Sequence, residues 1–100
     1  IIISDDGKSI EIKDQNSNSI HLSSDGITID SAKDIKISAK GNIEMHATGN
    51  IKTAATSDLV LQGLAVNINA QTQLKATGTA SAEFSAAGET TIAGAMVMIN

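Results

Sequence analysis

The chain reads DGITIDSA, KDIKISAK, GNIEMHAT, GNIKTAAT and SDLVLQGL from residue 25 to residue 64. Each of these eight-residue segments, called octads below, has an apolar residue at its third position and usually another at its fifth. The third positions hold Ile27, Ile35, Ile43, Ile51 and Leu59, and the fifth positions hold Ile29, Ile37, Met45, Thr53 and Leu61. Strict alternation of apolar and polar residues is typical of a β-strand with one covered face. The octads therefore predict short strands.

A turn-prone pair precedes the first apolar residue of each octad. The pairs are Asp25-Gly26, Lys33-Asp34, Gly41-Asn42, Gly49-Asn50 and Ser57-Asp58. Such residues tolerate left-handed backbone or cap their own turns, so each octad is predicted to be a strand followed by a corner. Beyond Gln62 the apolar residues move from odd to even positions, and they return to odd positions at Ala95. We expect one-residue deletions or bulges near Gln62-Gly63 and near Gly94.

Composition limits how the chain can build a core. Its 100 residues include one Phe and no Trp, Tyr or Cys, so a core must come from Ile, Ala and Leu. A monomer of this size and composition buries little apolar surface. An octad is also short for a single-chain solenoid, whose repeats usually need about twenty residues or more. These limits favour several copies wound around one shared core.

The same inventory argues against several classes of function. His21 and His46 fall on the polar parity and are expected to face water, which argues against a three-histidine metal site. The serines have no evident histidine and carboxylate partners, and no cysteine offers thiol chemistry. We interpret Asp5-Asp6 as part of a turn rather than a calcium site. We therefore expect no catalysis, no cofactor and no metal.

Charge and hydropathy bear on the partners of the chain. A net charge of −4 with one aromatic residue offers neither a basic track nor stacking platforms, so nucleic-acid binding is not expected. No run has the length of a transmembrane helix, and any membrane contact is expected to be transient. The absence of cysteine fits a reducing compartment such as the cytoplasm.

Three segments carry a resemblance to a known family. They are the GNI-type octads, the run SNSIHLSSDGITIDSAKDIKISAKGNIEM at 17–45, and the ending GAMVMIN at 94–100. Together they resemble the C-terminal β-helical needle of VgrG proteins, the spikes of type VI secretion systems, and of related phage baseplate and contractile injection spikes. The resemblance covers essentially the whole chain. It implies an all-β, intertwined trimeric β-helix of octads.

The resemblance also implies a division of the chain. Residues 1–22 look like lead-in strands, with Ile1–Ile3 in the first and with hairpin turns at SDDGKS and DQNSNS, that leave an upstream oligosaccharide-binding-type barrel. Residues 23–100 look like the needle, about 45 Å long if strands stack at about 4.8 Å. The chain begins at Ile1 without an initiator methionine, so we expect a fragment.

The implied trimer assigns two sets of residues. The expected trimer core comprises Ile27, Ile29, Ile35, Ile37, Ile43, Met45, Ile51, Leu59, Leu61, Val66, Ile68, Leu74, Phe84 and Ile92. The expected tip, which binds a partner at the blunt end, comprises Ala95, Met96, Val97, Met98, Ile99 and Asn100. A sheet end of this kind leaves unpaired edges. The resemblance implies that a conical PAAR-repeat protein binds this end and covers those edges.

The implied function is mechanical. A spike of this family is driven forward by a contracting sheath, pierces the target envelope and carries its PAAR-type tip and effectors, while upstream domains contact tube and baseplate proteins. It is expected in the bacterial cytoplasm, or in a phage or phage-like particle, before firing, and then to be secreted or injected. One alternative is the stalk of a trimeric phage tail fibre or adhesin. Another is a rod that carries a separate enzyme domain.

Overall fold

The strands that the structure describes lie between residues 9 and 30. A computed structural model describes residues 9–100, and in that range the chain contains no helix. Strands β1 (Ser9–Lys13), β2 (Ser19–Ser23) and β3 (Gly26–Asp30) form one antiparallel sheet in the order β1-β2-β3. The predicted all-β class is confirmed, as is the hairpin turn at DQNSNS. Ile1–Ile3, Asp5-Asp6 and most of the SDDGKS turn lie outside the described residues.

The sheet has one apolar face and one polar face. Two apolar rows cross the three strands: Ile10, Leu22 and Ile27, and beside them Ile12, Ile20 and Ile29. The opposite face carries Glu11, His21 and Thr28 in one row. Because side chains alternate between the faces of a strand, the SIEIK and SIHLS patterns dictate this separation. The first octad, 25–32, thus supplies the third strand of the sheet.

The two turns of the sheet use different devices. Between β1 and β2, the Asp14 carboxylate accepts hydrogen bonds from the backbone N–H groups of Asn16 (2.9 Å) and Asn18 (3.0 Å). Ser17 has a positive φ of 69°, which is uncommon for a residue with a side chain. Between β2 and β3, Gly26 has a φ of 120°, which only glycine adopts at low cost.

Beyond β3 the chain is a series of extended segments separated by bends. It divides into two compact units, the first ending at Lys52 and the second comprising Thr53–Asn100. In the first unit, bends at 32–33, 40–41 and 48–49 recur every eight residues. In the second unit they lie at 56–57, 64–65, 71–72, 79–80, 87–88 and finally 95. The predicted period is therefore visible as bends, whereas the octads after 25–32 are extended segments that pair with no strand in the described residues.

One interval in the second unit is a residue short. The bends at 64–65 and 71–72 are seven residues apart, whereas their neighbours are eight apart. The missing residue accounts for the change of apolar parity after Gln62. A second short step, from 88 to 95, precedes the return to odd positions at Val97. The irregularities lie within a few residues of Gly63 and Gly94, where the sequence predicted them.

The chain buries no side chain in the range 9–100. Every large apolar residue of the octads is exposed, including all fourteen of the predicted core residues. Outside the strands, the described residues contain one hydrogen bond between backbone groups, from Asp14 N–H to the Asn18 carbonyl. The backbone from 31 to 100 is thus extended and has no backbone partner within the described chain. Both its side chains and its peptide groups are available to another chain.

Candidate association interface

The first apolar residues of five consecutive octads, from the second to the sixth, are exposed to nearly the same extent. Ile35, Ile43 and Ile51 in the first unit, and Leu59 and Val66 in the second, are all between 53% and 56% exposed. Val66 belongs with this set although it follows Leu59 by seven residues. Val66 stands one residue after its bend at 64–65, whereas the other four stand two residues after theirs, so the missing residue falls between that bend and Val66.

In the second, third and fifth octads the second apolar residue is more exposed than the first. Ile37, Met45 and Leu61 are between 74% and 75% exposed. Burying an aliphatic side chain completely is worth roughly 1.5–3 kcal/mol, so covering the exposed part of each is worth about 1–2 kcal/mol. A repeating apolar stripe of this kind provides the largest available driving force for association in the described chain.

The apolar face of the sheet continues toward the first octad stripe. An open cleft of about 370 Å³ in the first unit is lined by Ile12, Ile20, Ile29 and Ile35 among others. Ile12 and Ile20 are 42% and 40% exposed, so the sheet's apolar side chains in this cleft remain accessible. The cleft joins the sheet's apolar face to the start of the octads.

A hydrogen-bond network fixes the point where the chain leaves the sheet. The Asn18 side-chain carbonyl accepts a hydrogen bond from the Ala32 backbone N–H at 3.0 Å, and the Ser31 hydroxyl donates to the Asp34 carbonyl at 2.9 Å. Asn18 is itself held by Asp14, whose pKa is lowered by the N–H groups of Asn18 and Asn16 and by the Asn18 amide. The β1–β2 turn thereby orients the first corner of the octads.

The polar face of the sheet carries a charged cluster that the sequence did not reveal. Glu11 lies opposite His21 in the register, with its Oε2 3.0 Å from His21 Nδ1, and its Oε1 lies 3.1 Å from Lys13 Nζ. The hydrogen bond from Lys13, followed by that of His21, lowers the pKa of Glu11. The signal that could have found this pair is the hairpin register, which a turn centred on Asn16 sets. His21 lies on the polar face, as the parity predicted.

We expect Glu11 to give the sheet a small dependence on acidity. Because its pKa is lower in the folded chain, its contribution to stability is present above the ordinary carboxyl pKa and is lost as the pH falls through the folded value. The melting temperature of the chain should therefore exceed that of Glu11→Gln modestly at pH 6, and the gap should close in acid. Circular dichroism across this range measures it; a gap that stays constant down to about pH 2.5 contradicts the assignment.

The predicted tip residues form an exposed apolar end of the second unit. Met98 and Ile99 are 87% and 90% exposed, whereas Val97 resembles the first apolar residues of other octads. Met96 is also exposed, and it stands on the parity opposite to Val97 and Ile99. Apolar side chains on both parities at one end suit contact with a partner more than burial in one core.

His46, the other histidine, is exposed, and within residues 9–100 no three histidine or acidic side chains converge in a group able to hold a metal ion.

The chain matches no protein-family model and no curated protein. Within the part that the structure describes, no helical segment has the length and hydropathy needed to cross a bilayer. The octad stripe, the unpaired backbone and the apolar end are thus the features from which a function can be inferred.

Proposed function

We propose that the chain is the needle of a VgrG-like spike, in which three copies wind around a common axis as an intertwined β-helix. The supporting observation is that residues 31–100 are extended and bent every seven or eight residues, yet bury no side chain and pair no backbone group with one another. Unpaired N–H and C=O groups at strand edges favour pairing with another chain.

The wound arrangement covers the exposed apolar side chains and pairs the free backbone groups at the same time. Each octad crosses one face of a triangular prism and turns onto the next, so its neighbours on that face come from the other two copies. The apolar stripes then meet at the axis, and the peptide groups pair between copies at about 4.8 Å. Since every strand is hydrogen-bonded to two other chains, no copy unravels without breaking both interfaces. A rod of this kind resists the axial load of piercing.

The apolar end has a role in the same proposal. Residues 95–100 of three copies form a blunt end that docks a PAAR-repeat tip protein. Upstream domains connect the needle to the tube and baseplate, and the assembly waits in the bacterial cytoplasm until a contracting sheath drives it out. The proposed role is mechanical and includes no catalytic step. Membrane contact is limited to the moment of piercing.

Light scattering coupled to size exclusion tests the trimer. The purified chain, at low micromolar concentration, is expected to have a mass of three chains and to elute early for that mass, because a rod has a large hydrodynamic radius. A folded monomer, whose far-ultraviolet circular dichroism spectrum shows β-structure, would overturn the shared core and with it the spike. A trimer that binds no PAAR-repeat protein would favour the tail-fibre or adhesin stalk instead.

A further inference from the structure

One octad position on the polar side carries charges of alternating sign. Lys36, Glu44 and Lys52 each follow the first apolar residue of their octad, and all three are exposed. Among residues 9–100, Glu11 is the one acidic residue with a basic side chain within ion-pairing distance: one carboxylate oxygen pairs with Lys13 Nζ and the other lies 3.0 Å from His21 Nδ1. Within that range the three octad charges therefore have no oppositely charged partner.

The three charges stand in equivalent places. The isoleucines that precede them, Ile35, Ile43 and Ile51, differ by no more than two percentage points in exposure. Equal exposure at equal octad positions indicates the same local backbone geometry, so the residue that follows each isoleucine points to the other side in the same way.

The second unit repeats the alternation. Lys75 and Glu83 follow Leu74 and Ala82 at the same octad position, and both are exposed. The same position holds the uncharged residues Val60 and Asn67 around the seven-residue interval. The chain thus has two charged blocks, each alternating in sign, separated by a neutral stretch at the irregular octad.

Within residues 33–56, where the bends recur every eight residues, apolar burial alone does not choose how far one copy is shifted along another. Because the apolar stripe repeats with each octad, moving a copy by one octad buries the same kinds of side chains. The charges differ between these arrangements. When each octad lies beside the next octad of a neighbouring copy, Lys36 faces Glu44 and Glu44 faces Lys52; a shift by one octad brings like charges together.

We propose that these alternating charges set the axial register in which copies of this chain associate. The partner surface is the polar face of a second copy of the same chain. The proposal rests on the proposed function, since it needs copies whose octads stack on one another. Exposed pairs add little stability, but a repulsive pair at each contact in the wrong register adds up over three copies.

Cysteine pairs can report the register, because the natural chain contains no cysteine. Ser38→Cys and His46→Cys, made together, place thiols at one octad position of consecutive octads. In the proposed register, position 38 of one copy lies about 4.8 Å from position 46 of the next, within disulfide range. Mild oxidation followed by peptide mass spectrometry then counts links of the 38–46 type against 38–38 and 46–46 links.

The chain that carries Ser38→Cys and His46→Cys is called the reporter chain, and three further changes are compared in it. Glu44→Lys makes the first block uniformly positive. Lys36→Glu, Glu44→Lys and Lys52→Glu together restore alternation with the signs exchanged. Glu89→Lys is the control, since it changes the charge equally while Ser81, eight residues before it, and Met96, seven residues after it across the short step, are uncharged.

We expect 38–46 links to dominate in the reporter chain. Glu44→Lys should raise the share of like-numbered links about threefold and lower the melting temperature by about 5 °C at low salt, with a smaller fall at 1 M salt. The triple change should restore both values, and Glu89→Lys should alter neither. If Glu44→Lys behaves like Glu89→Lys while the trimer mass persists, the register proposal is wrong and the spike proposal stands. If the unchanged chain is a monomer, both fail.

Discussion

Ile43→Asp is expected to abolish the trimer. Ile43 is the first apolar residue of the third octad and lies on the repeating stripe that the proposed trimer turns toward its axis. Three copies would bring three aspartates together in an apolar, dehydrated environment. Each buried carboxylate costs several kcal/mol, and their mutual repulsion adds to this. Light scattering should give the mass of one chain, or an aggregate, instead of three chains.

His46→Asp is the matched control for this prediction. It introduces the same side chain into the same octad, three residues away and on the polar parity, where His46 is exposed. The trimer mass and the melting temperature should stay close to those of the unchanged chain. An Ile43→Asp variant that remains a stable trimer would show that the stripe does not face a shared core. Loss of the trimer in both variants would contradict the assignment of the two faces.

The size of the Ile43 effect follows from how little a single copy stabilises itself. Residues 9–100 bury no side chain. Outside the sheet they contain one backbone–backbone hydrogen bond, between Asp14 and Asn18 in the β1–β2 turn. Folding of the octads is then inseparable from association, and stability depends on the concentration of chains. Among residues 9–100, strand pairing is confined to the sheet of β1, β2 and β3, and none of its apolar side chains is buried.

The octad period could be read from the sequence because two local signals agree. Alternating apolar residues specify extended backbone, and turn-prone pairs such as Gly41-Asn42 interrupt it at fixed intervals. The bend at 40–41 and its equivalents follow from these signals alone. The move of the apolar residues from odd to even positions after Gln62 likewise predicted the short interval between the bends at 64–65 and 71–72.

The arrangement of the sheet could not be read in the same way. Octad 25–32 has the same pattern as those that follow, yet it pairs with β2 because the Gly26 turn reverses the chain. The Glu11–His21 pair depends on the hairpin register, which rests on the unusual backbone of Ser17. Alternation identifies which face a residue occupies, but long-range register decides which residue it meets.

Ile99→Asp is expected to release the tip partner while sparing the needle. Ile99 is 90% exposed at the end of the second unit, and only the last strand of each copy would be affected. Docking a PAAR-repeat protein on the blunt end would dehydrate three new carboxylates with no cation to pair them. Mispairing buried interface charges costs about 2–5 kcal/mol, so binding should weaken at least about 30-fold. The dissociation constant is measured by passing a purified PAAR-repeat protein over the surface-bound trimer.

Thr91→Asp serves as the control, because Thr91 lies on the polar parity eight residues before Ile99. That variant should bind the PAAR-repeat protein as the unchanged chain does, and both variants should keep the mass of three chains. Equal binding by Ile99→Asp would place the docking surface elsewhere on the needle. Absence of binding even by the unchanged trimer would remove the tip function and leave a stalk whose apolar end meets a different partner. Because the mass of each variant is measured in the same samples, a failed tip is distinguishable from a failed trimer.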